Sequence, residues 1–237
     1  MNLRPRVSEN FDASLAYYFE PVGEFSVGVF RKAISDFDSN VVRMVSPEEA
    51  AELGATPLPG DLTPWRYTTR LNVGDGLVRG IELNYTQQLS NILPGAWRGI
   101  GFYANFTYLD IEGTFDVNDV GAAPVKVKQL EDVIPRTANA GLSYNYGRYD
   151  MRLSWNYTDA FPESSATNIS TVKLRGQRWT MDASVKYQLM RNVSLFADFV
   201  NITSNHAKKY RGYVAPELRN ETNALGFVGT AGVQLSF

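Results

Sequence analysis

Cysteine is absent from the 237 residues, so neither disulfides nor thiolate metal sites can form. Histidine occurs once, at His206, and a lone imidazole without thiolates makes no metal centre. No apolar run approaches the ~18 residues that a membrane helix requires. The opening "MNLRPRVSEN" lacks the apolar core of a signal peptide. Net charge is only −2 and the basic residues are dispersed, which argues against a nucleic-acid partner. No phosphate loop and no Ser/His/Asp set can be assembled, so neither enzyme chemistry nor a cofactor is expected. These absences would suit a soluble protein. They do not exclude a membrane β-barrel, whose strands hide alternate residues from any hydropathy window.

What the chain has in abundance is a period of two. In "RWTMDASVKYQLMRN" (178–192), Trp179, Met181, Ala183, Val185, Tyr187 and Leu189 share one parity, and Thr180, Asp182, Ser184, Lys186 and Gln188 share the other. That is a β-strand with one apolar and one wet face. Eight further segments read the same way: 10–20, 24–37, 80–89, 99–110, 136–146, 149–161, 192–205 and 226–237. Two have a blurred register, 24–37 near Phe30 and 192–205 near Phe196 and Val200. Aromatics make up 13% of the chain, and they favour strands.

The connections alternate in length. "EPVGE", "NILPGAWRG", "YGRY" and "LMRN" are short, whereas 38–75, 111–135, 162–176 and 206–225 are long. A meander with tight turns on one rim and long loops on the other is the pattern of outer-membrane barrels. Inside the first long link, "SPEEAAELG" reads as a two-turn helix: Ser46 as N-cap, Pro47 at the first position, Glu49 three residues after the cap and Gly54 as the stop. "RYTTRLNVGDG" extends the following strand, and its "GDG" (74–76) is a turn signal. The acidic residues of "SPEEAAE" and "QLEDV" read as solvated loop.

The apolar parity can meet a protein core or lipid. Strands of ~10–14 residues exceed the soluble norm of five or six and fit the 9–11 needed to cross a bilayer. Trp97, Tyr146, Tyr149, Tyr187 and Phe237 fall near the short turns, and Tyr108, Tyr157 and Trp179 toward the long loops. Two aromatic girdles would produce that placement. Long alternating strands also occur in soluble sheets with one wet face. Sequon-like triplets at Asn84/Thr86, Asn105/Thr107 and Asn156/Thr158 read as polar pairs on the wet face, because residues i and i+2 share a face.

At the C-terminus, "TAGVQLSF" resembles the terminal signal of outer-membrane barrels: polar Thr230, Gly232, then Leu235 and the aromatic Phe237. "NITSNHAKKYRGY" (201–213) is similar to the asparagine-led stretch that ends the penultimate strand of TonB-dependent receptors. "NVGDGLVRGIEL" (72–83) resembles their re-entrant Arg-Gly-x-Glu segment, with Arg79, Gly80 and Glu82, and "YYFEPVGEFSVGVFRKAISDF" (17–37) resembles the preceding hairpin.

The resemblance implies an all-β, antiparallel up-and-down meander of about nine long strands, the C-terminal segment of a transmembrane β-barrel that has 22 strands in the family. Residues 1–237 would then be one barrel segment, with plug domain, signal peptide and N-terminal strands absent. Single-chain bacterial barrels have even strand numbers, and an open sheet in lipid leaves two edges unsatisfied. The chain is therefore expected to be a piece of a receptor.

The intact receptor would take up a scarce ligand (a siderophore or other iron chelate, cobalamin or a glycan), driven by TonB, in the Gram-negative outer membrane. Its partners would be outer-membrane lipid and the barrel-assembly machinery, with TonB engaged only through the missing N-terminal part. Ligand contacts are expected at Trp65, Arg66, Phe115 and Asp116 in the long loops. Glu82, Arg152, Asp182 and Lys186 would line the lumen, and Thr230, Gly232, Leu235 and Phe237 would form the assembly signal. Two rival readings are a small self-contained barrel acting as pore or adhesin, and a soluble β-sandwich that binds glycans.

Overall fold

A computed structural model describes residues 3–20, 22–60, 62–115, 125–163, 173–211, 219–223 and 226–236. The strands, in chain order, are β1 (Val7–Phe19), β2 (Val22–Val45), β3 (Trp65–Gln88), β4 (Ile100–Phe115), β5 (Val125–Val127), β6 (Arg136–Tyr146), β7 (Tyr149–Thr158), β8 (Phe161–Pro162), β9 (Lys173–Arg175), β10 (Arg178–Met190), β11 (Val193–Val200), β12 (Ala207–Arg211), β13 (Arg219–Asn223) and β14 (Val228–Leu235). One helix, α1 (Pro47–Glu52), and a 3-10 turn (Gly95–Gly99) interrupt them.

Nine strands run side by side in the order β1-β2-β3-β4-β6-β7-β10-β11-β14, and every pairing along the path is antiparallel. This is the expected meander, strand for strand. The tight turns fall where expected. Gly147 supplies the left-handed conformation (φ +61°) between β6 and β7, a backbone state open to glycine at little steric cost. α1 also forms as its sequence predicts, with the Ser46 hydroxyl accepting from the Glu49 amide at 3.2 Å and Gly54 at φ +95° behind it.

Three expectations need correction. The first long link is mostly strand: β2 and β3 continue as a paired ribbon, Asp38↔Asn72 to Val45↔Trp65, and only 46–64 is left as a loop. "GDG" is not a turn but part of continuous β3. It stands opposite a bulge, where Ser35 and Asp36 together face Asp75. Asp36 takes the left-handed conformation (φ +58°), and its amide donates to the Asp75 carboxylate at 3.1 Å. A bulge adds one residue and bends the strand, so the ribbon is re-aimed there. Finally, "QLEDV" is not all solvated. Leu130 is buried against Val78 and Ile111, with Phe30, Phe37, Leu109 and Val133 around them. Burial holds the nearby Glu131 carboxyl above its ordinary 4.5, and the Asp132 charge adds to the effect.

Strands β8 and β9 meet strands β12 and β13 in a second sheet of order β13-β12-β9-β8. Glu163 is mostly buried there and is clamped by Arg175 at 2.7 Å and Lys209 at 3.2 Å. The Asp132 amide donates to the Pro162 carbonyl at 2.9 Å, tying the 128–135 segment to this sheet.

Residues 3–6 strap the bulge from outside. Arg6 pairs with Asp38 at 2.8 Å and lies over the Phe37 ring, while Arg4 pairs with Asp36 at 2.7 Å. The Arg6 hydrogen bond, with Arg70 assisting, holds the Asp38 carboxyl below its ordinary 3.8. A carboxyl whose folded pKa is depressed stabilises the fold above its unfolded pKa and loses that contribution as pH falls through the folded value. The strap is therefore expected to stay docked at neutral pH and to loosen only below about pH 4. Hydrogen exchange of residues 3–8 followed from pH 7 to pH 3 should show the release, and protection unchanged across that range would refute it.

Candidate functional site

The register sorts side chains onto two faces. Phe25↔Tyr85↔Ala104↔Ala140↔Trp155↔Met181 is one line across six strands, and all of it is apolar. One residue away, Ser26↔Asn84↔Asn105↔Asn139↔Asn156↔Thr180 is a line of amides and hydroxyls. Four consecutive strands thus place an asparagine in the same row. The Asn139 amide donates to Asn105 at 2.7 Å and that of Asn156 to Asp182 at 3.2 Å. The sequon-like triplets are polar-face pairs.

The polar face also carries the charged groups expected in the lumen. Glu82, Arg152, Asp182 and Lys186 all lie on it, but the structure brings only some together. Arg152 and Lys186 share a recess with Asp150, Asp198 and Gln234. Lys186 donates to Gln234 at 3.0 Å, across β11. Asp182 lies toward the loop rim and takes the Asn201 amide at 2.7 Å. Glu82 is several strands away, opposite Gly28 and Thr107.

The loop-rim candidates separate further. Trp65 and Arg66 are adjacent in a strand, so they project to opposite sides. Trp65 is half-buried and Arg66 exposed. Phe115 pairs with Gly74, nine positions down β3 from Trp65, or about 30 Å at 3.3 Å per residue. One small ligand could not touch both ends. Asp116 and Phe237 lie outside the described residues.

Sequence reasoning missed the rings that lie over glycines on the polar face. Phe30 covers Gly80, Tyr103 covers Gly141 and Phe196 covers Gly232, so that a Cβ at any of the three would collide with the ring. Tyr103 reaches across Gly141 on β6 to donate its hydroxyl to Ser154 on β7 at 3.2 Å. Phe30 and Phe196 are the residues that blur the parity of their strands. The available signal was a glycine at the matching position of the next strand, which can be read only once the register is known.

The sequence fits the family model "TonB dependent receptor-like, beta-barrel" over residues 1–202. The chain belongs to the TonB-dependent receptor family. No curated protein matches its sequence. Among solved structures, the copper transporter OprC superposes with a TM-score of 0.62 at 17% identity, covering 100% of this chain and 32% of that one. The siderophore receptor PiuA from Acinetobacter baumannii gives 0.61 at 16%, covering 97% and 28%. A mutant of the ferric enterobactin receptor PfeA from Pseudomonas aeruginosa gives 0.61 at 15%, covering 98% and 31%. The chain thus spans about a third of the length of these structures, and at such identities the likeness establishes the fold.

Two of the segments that resemble TonB-dependent receptor motifs acquire a physical reason here. Gly80 of the Arg-Gly-x-Glu segment gives the Phe30 ring its seat, with a Leu109 methyl within 2.8 Å of where a Cβ would stand. Asn201 opens the asparagine-led stretch in the left-handed conformation (φ +54°) and is buried. Its side-chain oxygen accepts from the Asn205 amide at 3.1 Å and from the Thr203 hydroxyl at 3.2 Å. Asparagine tolerates that conformation better than most residues. Asn201→Ala is expected to cost about 1–3 kcal/mol, since it strands two donors and strains the backbone. Chemical unfolding in detergent would measure this, and a cost within error of zero would remove Asn201 from the architecture.

Proposed function

We propose that this chain is a barrel segment of an outer-membrane transport protein, whose intact receptor takes up a scarce ligand driven by TonB. An iron chelate or another metal complex is favoured over cobalamin or a glycan, because the named structural neighbours carry copper or siderophores. The observation that carries the proposal is the in-register division of the nine-strand sheet into an apolar and a polar face. In water the apolar face would leave Phe11, Leu15, Val29, Ile81, Trp179 and Val233 each about half exposed or more, a patch that soluble monomers do not carry. In a bilayer it is satisfied, while the amide row and the Arg152–Lys186 recess line a watered path.

Strands β1 and β14 each have one partner along the main path. Their free edges call for further strands, because unpaired backbone groups in lipid cost several kcal/mol apiece. In this reading the barrel-assembly machinery recognises β14, where Thr230 and Gly232 lie on the polar face and Leu235 on the apolar one. TonB acts through a part of the receptor outside this segment.

The test is fluorescence in vesicles whose lipids carry brominated acyl chains. Trp155 and Trp179, on the apolar face, are expected to be quenched, and Trp65 on the ribbon is not. A chain that stays monodisperse without detergent and shows no quenching would overturn the membrane reading.

A further inference from the structure

We propose that the β2–β3 ribbon from Asp38 outward is a hinged arm, and that residues 3–6 are a reversible electrostatic lock on its posture. The pivot shows in the register. Below it Ile34 pairs with Gly76, and above it Asp38 pairs with Asn72, the first of eight unbroken pairs that end at Val45↔Trp65. Between these, Phe37 pairs with Gly74. β2 thus carries one extra residue on one side of that pair, and β3 carries one, Val73, on the other. The two bulges cancel, and the ladder resumes in the register it left. A double interruption forfeits ladder hydrogen bonds without changing which residues pair. What it changes is direction, because each bulge bends its strand. The backbone at the pivot is in states that few residues adopt, with Asp36 at φ +58° and Gly74 at φ +153°, and a hinge needs only a few such positions to absorb a change of angle.

The support of the sheet stops at the same place. Pairing with β1 ends at Val7↔Ser35 and pairing with β4 at Phe115↔Gly74. Among the described residues no third strand pairs with the arm.

The strap spans the pivot. Residues 3–6 lead into β1, which is fixed to the sheet below, yet they bond to the first pair above. Arg6 pairs with the Asp38 carboxylate at 2.8 Å, and Arg70 holds the same carboxylate from the ribbon side at 2.5 Å. The Arg4 amide donates to the Asn72 side chain at 2.8 Å. That side chain donates back to the Arg4 carbonyl at 3.0 Å and to the Asp36 carbonyl at 2.7 Å. The Arg4 guanidinium pairs with Asp36 at 2.7 Å while its side chain stays 73% exposed. Ion pairs in the open are individually weak and are screened by salt, so this lock can open. The far end of the arm carries Trp65 and Arg66, and its posture sets how they stand relative to Phe115 at the pivot.

The test is the distance between nitroxide labels at Glu52→Cys, near the end of the arm, and Thr107→Cys, on the sheet. It is measured by pulsed electron spin resonance in the receptor carrying this segment, on a background without other cysteines. At about 0.1 M salt, where the screening length is about 10 Å, a single narrow distribution is expected. Removing the lock with Arg4→Ala/Arg6→Ala/Asn72→Ala is expected to shift or broaden it by about 10 Å, the displacement that a swing of about 25° gives an arm about 25 Å long. Raising salt to about 1 M, where screening falls to about 3 Å, is expected to do the same to the wild type and little to the lock-free variant. Arg4→Lys/Arg6→Lys is expected to stay narrow at low salt. Heat-modifiable gel migration checks that each variant is folded, and if the triple variant fails to fold, the salt response of the wild type decides. Amides of residues 41–45 are expected to keep their protection from hydrogen exchange throughout. An unchanged distribution after removal of the lock, no response of the wild type to salt, or an equal change in Arg79→Ala, which breaks exposed ion pairs elsewhere on β3, would each overturn the proposal. So would loss of protection along the arm, which means melting and not pivoting.

Discussion

Ala183→Arg is expected to lower the stability of the membrane-inserted receptor by about 2–4 kcal/mol, whereas Ser184→Arg, one residue along β10, costs less than about 1 kcal/mol. Ala183 lies midway between Trp179 and Tyr187, the two aromatics that bracket the apolar parity of its strand, and is flanked by Leu153 and Phe199. An arginine there has no water within reach near the bilayer midplane. Ser184 points to the opposite face, between its cross-strand partners Arg152 and Asp198, where a further guanidinium is hydrated and the Asp198 carboxylate offsets its repulsion from Arg152. The comparison is internal, since both substitutions add the same side chain to neighbouring positions with the same intrinsic propensity. Folded fractions from heat-modifiable migration across a denaturant series measure the difference. Equal costs would mean that the parity holds no membrane information, and the transport reading would fall with it.

Gly80→Val is the second large effect. The Phe30 ring and the Leu109 side chain occupy the space a side chain at 80 would need, and overpacking of this kind costs about 1–3 kcal/mol. The diagnostic is the double-mutant cycle. Phe30→Ala removes the nearer of the two obstructions, so Phe30→Ala/Gly80→Val is expected to be more stable than the sum of the single costs predicts, by about 1 kcal/mol or more. Strict additivity would show that the ring does not rest on the glycine. Gly232→Val against Phe196→Ala repeats the experiment at the far end of the sheet, where the Cβ would stand 2.8 Å from the ring.

The two faces have different tasks. The apolar face needs only to be greasy and continuous, so a simple alternation specifies it. The polar face must be rigid enough to hold its shape. Its asparagine row and the Tyr103–Ser154 bond supply cross-strand ties of the kind that stabilise sheets. The ring-over-glycine pairs fill the pleat where the chain has no side chain of its own.

The sequence by itself determined the nine strands, their antiparallel order, the α1 caps and the face of each residue in every strand but β2 and β11. Each of these depends on neighbours within a few positions: period two, a turn glycine, a serine before Pro47. Only the tertiary structure decided the bulge at Asp36 and the continuation of β3 through Gly74–Gly76. It also paired two loops in the second sheet and set Phe30, Tyr103 and Phe196 over their glycines. Those features arise from register between segments far apart in the chain. A strand's own alternation says which way a side chain points but not what stands beside it. Arg31 and Arg79 are 48 positions apart in sequence, and hydrogen bonding between β2 and β3 alone makes them neighbours.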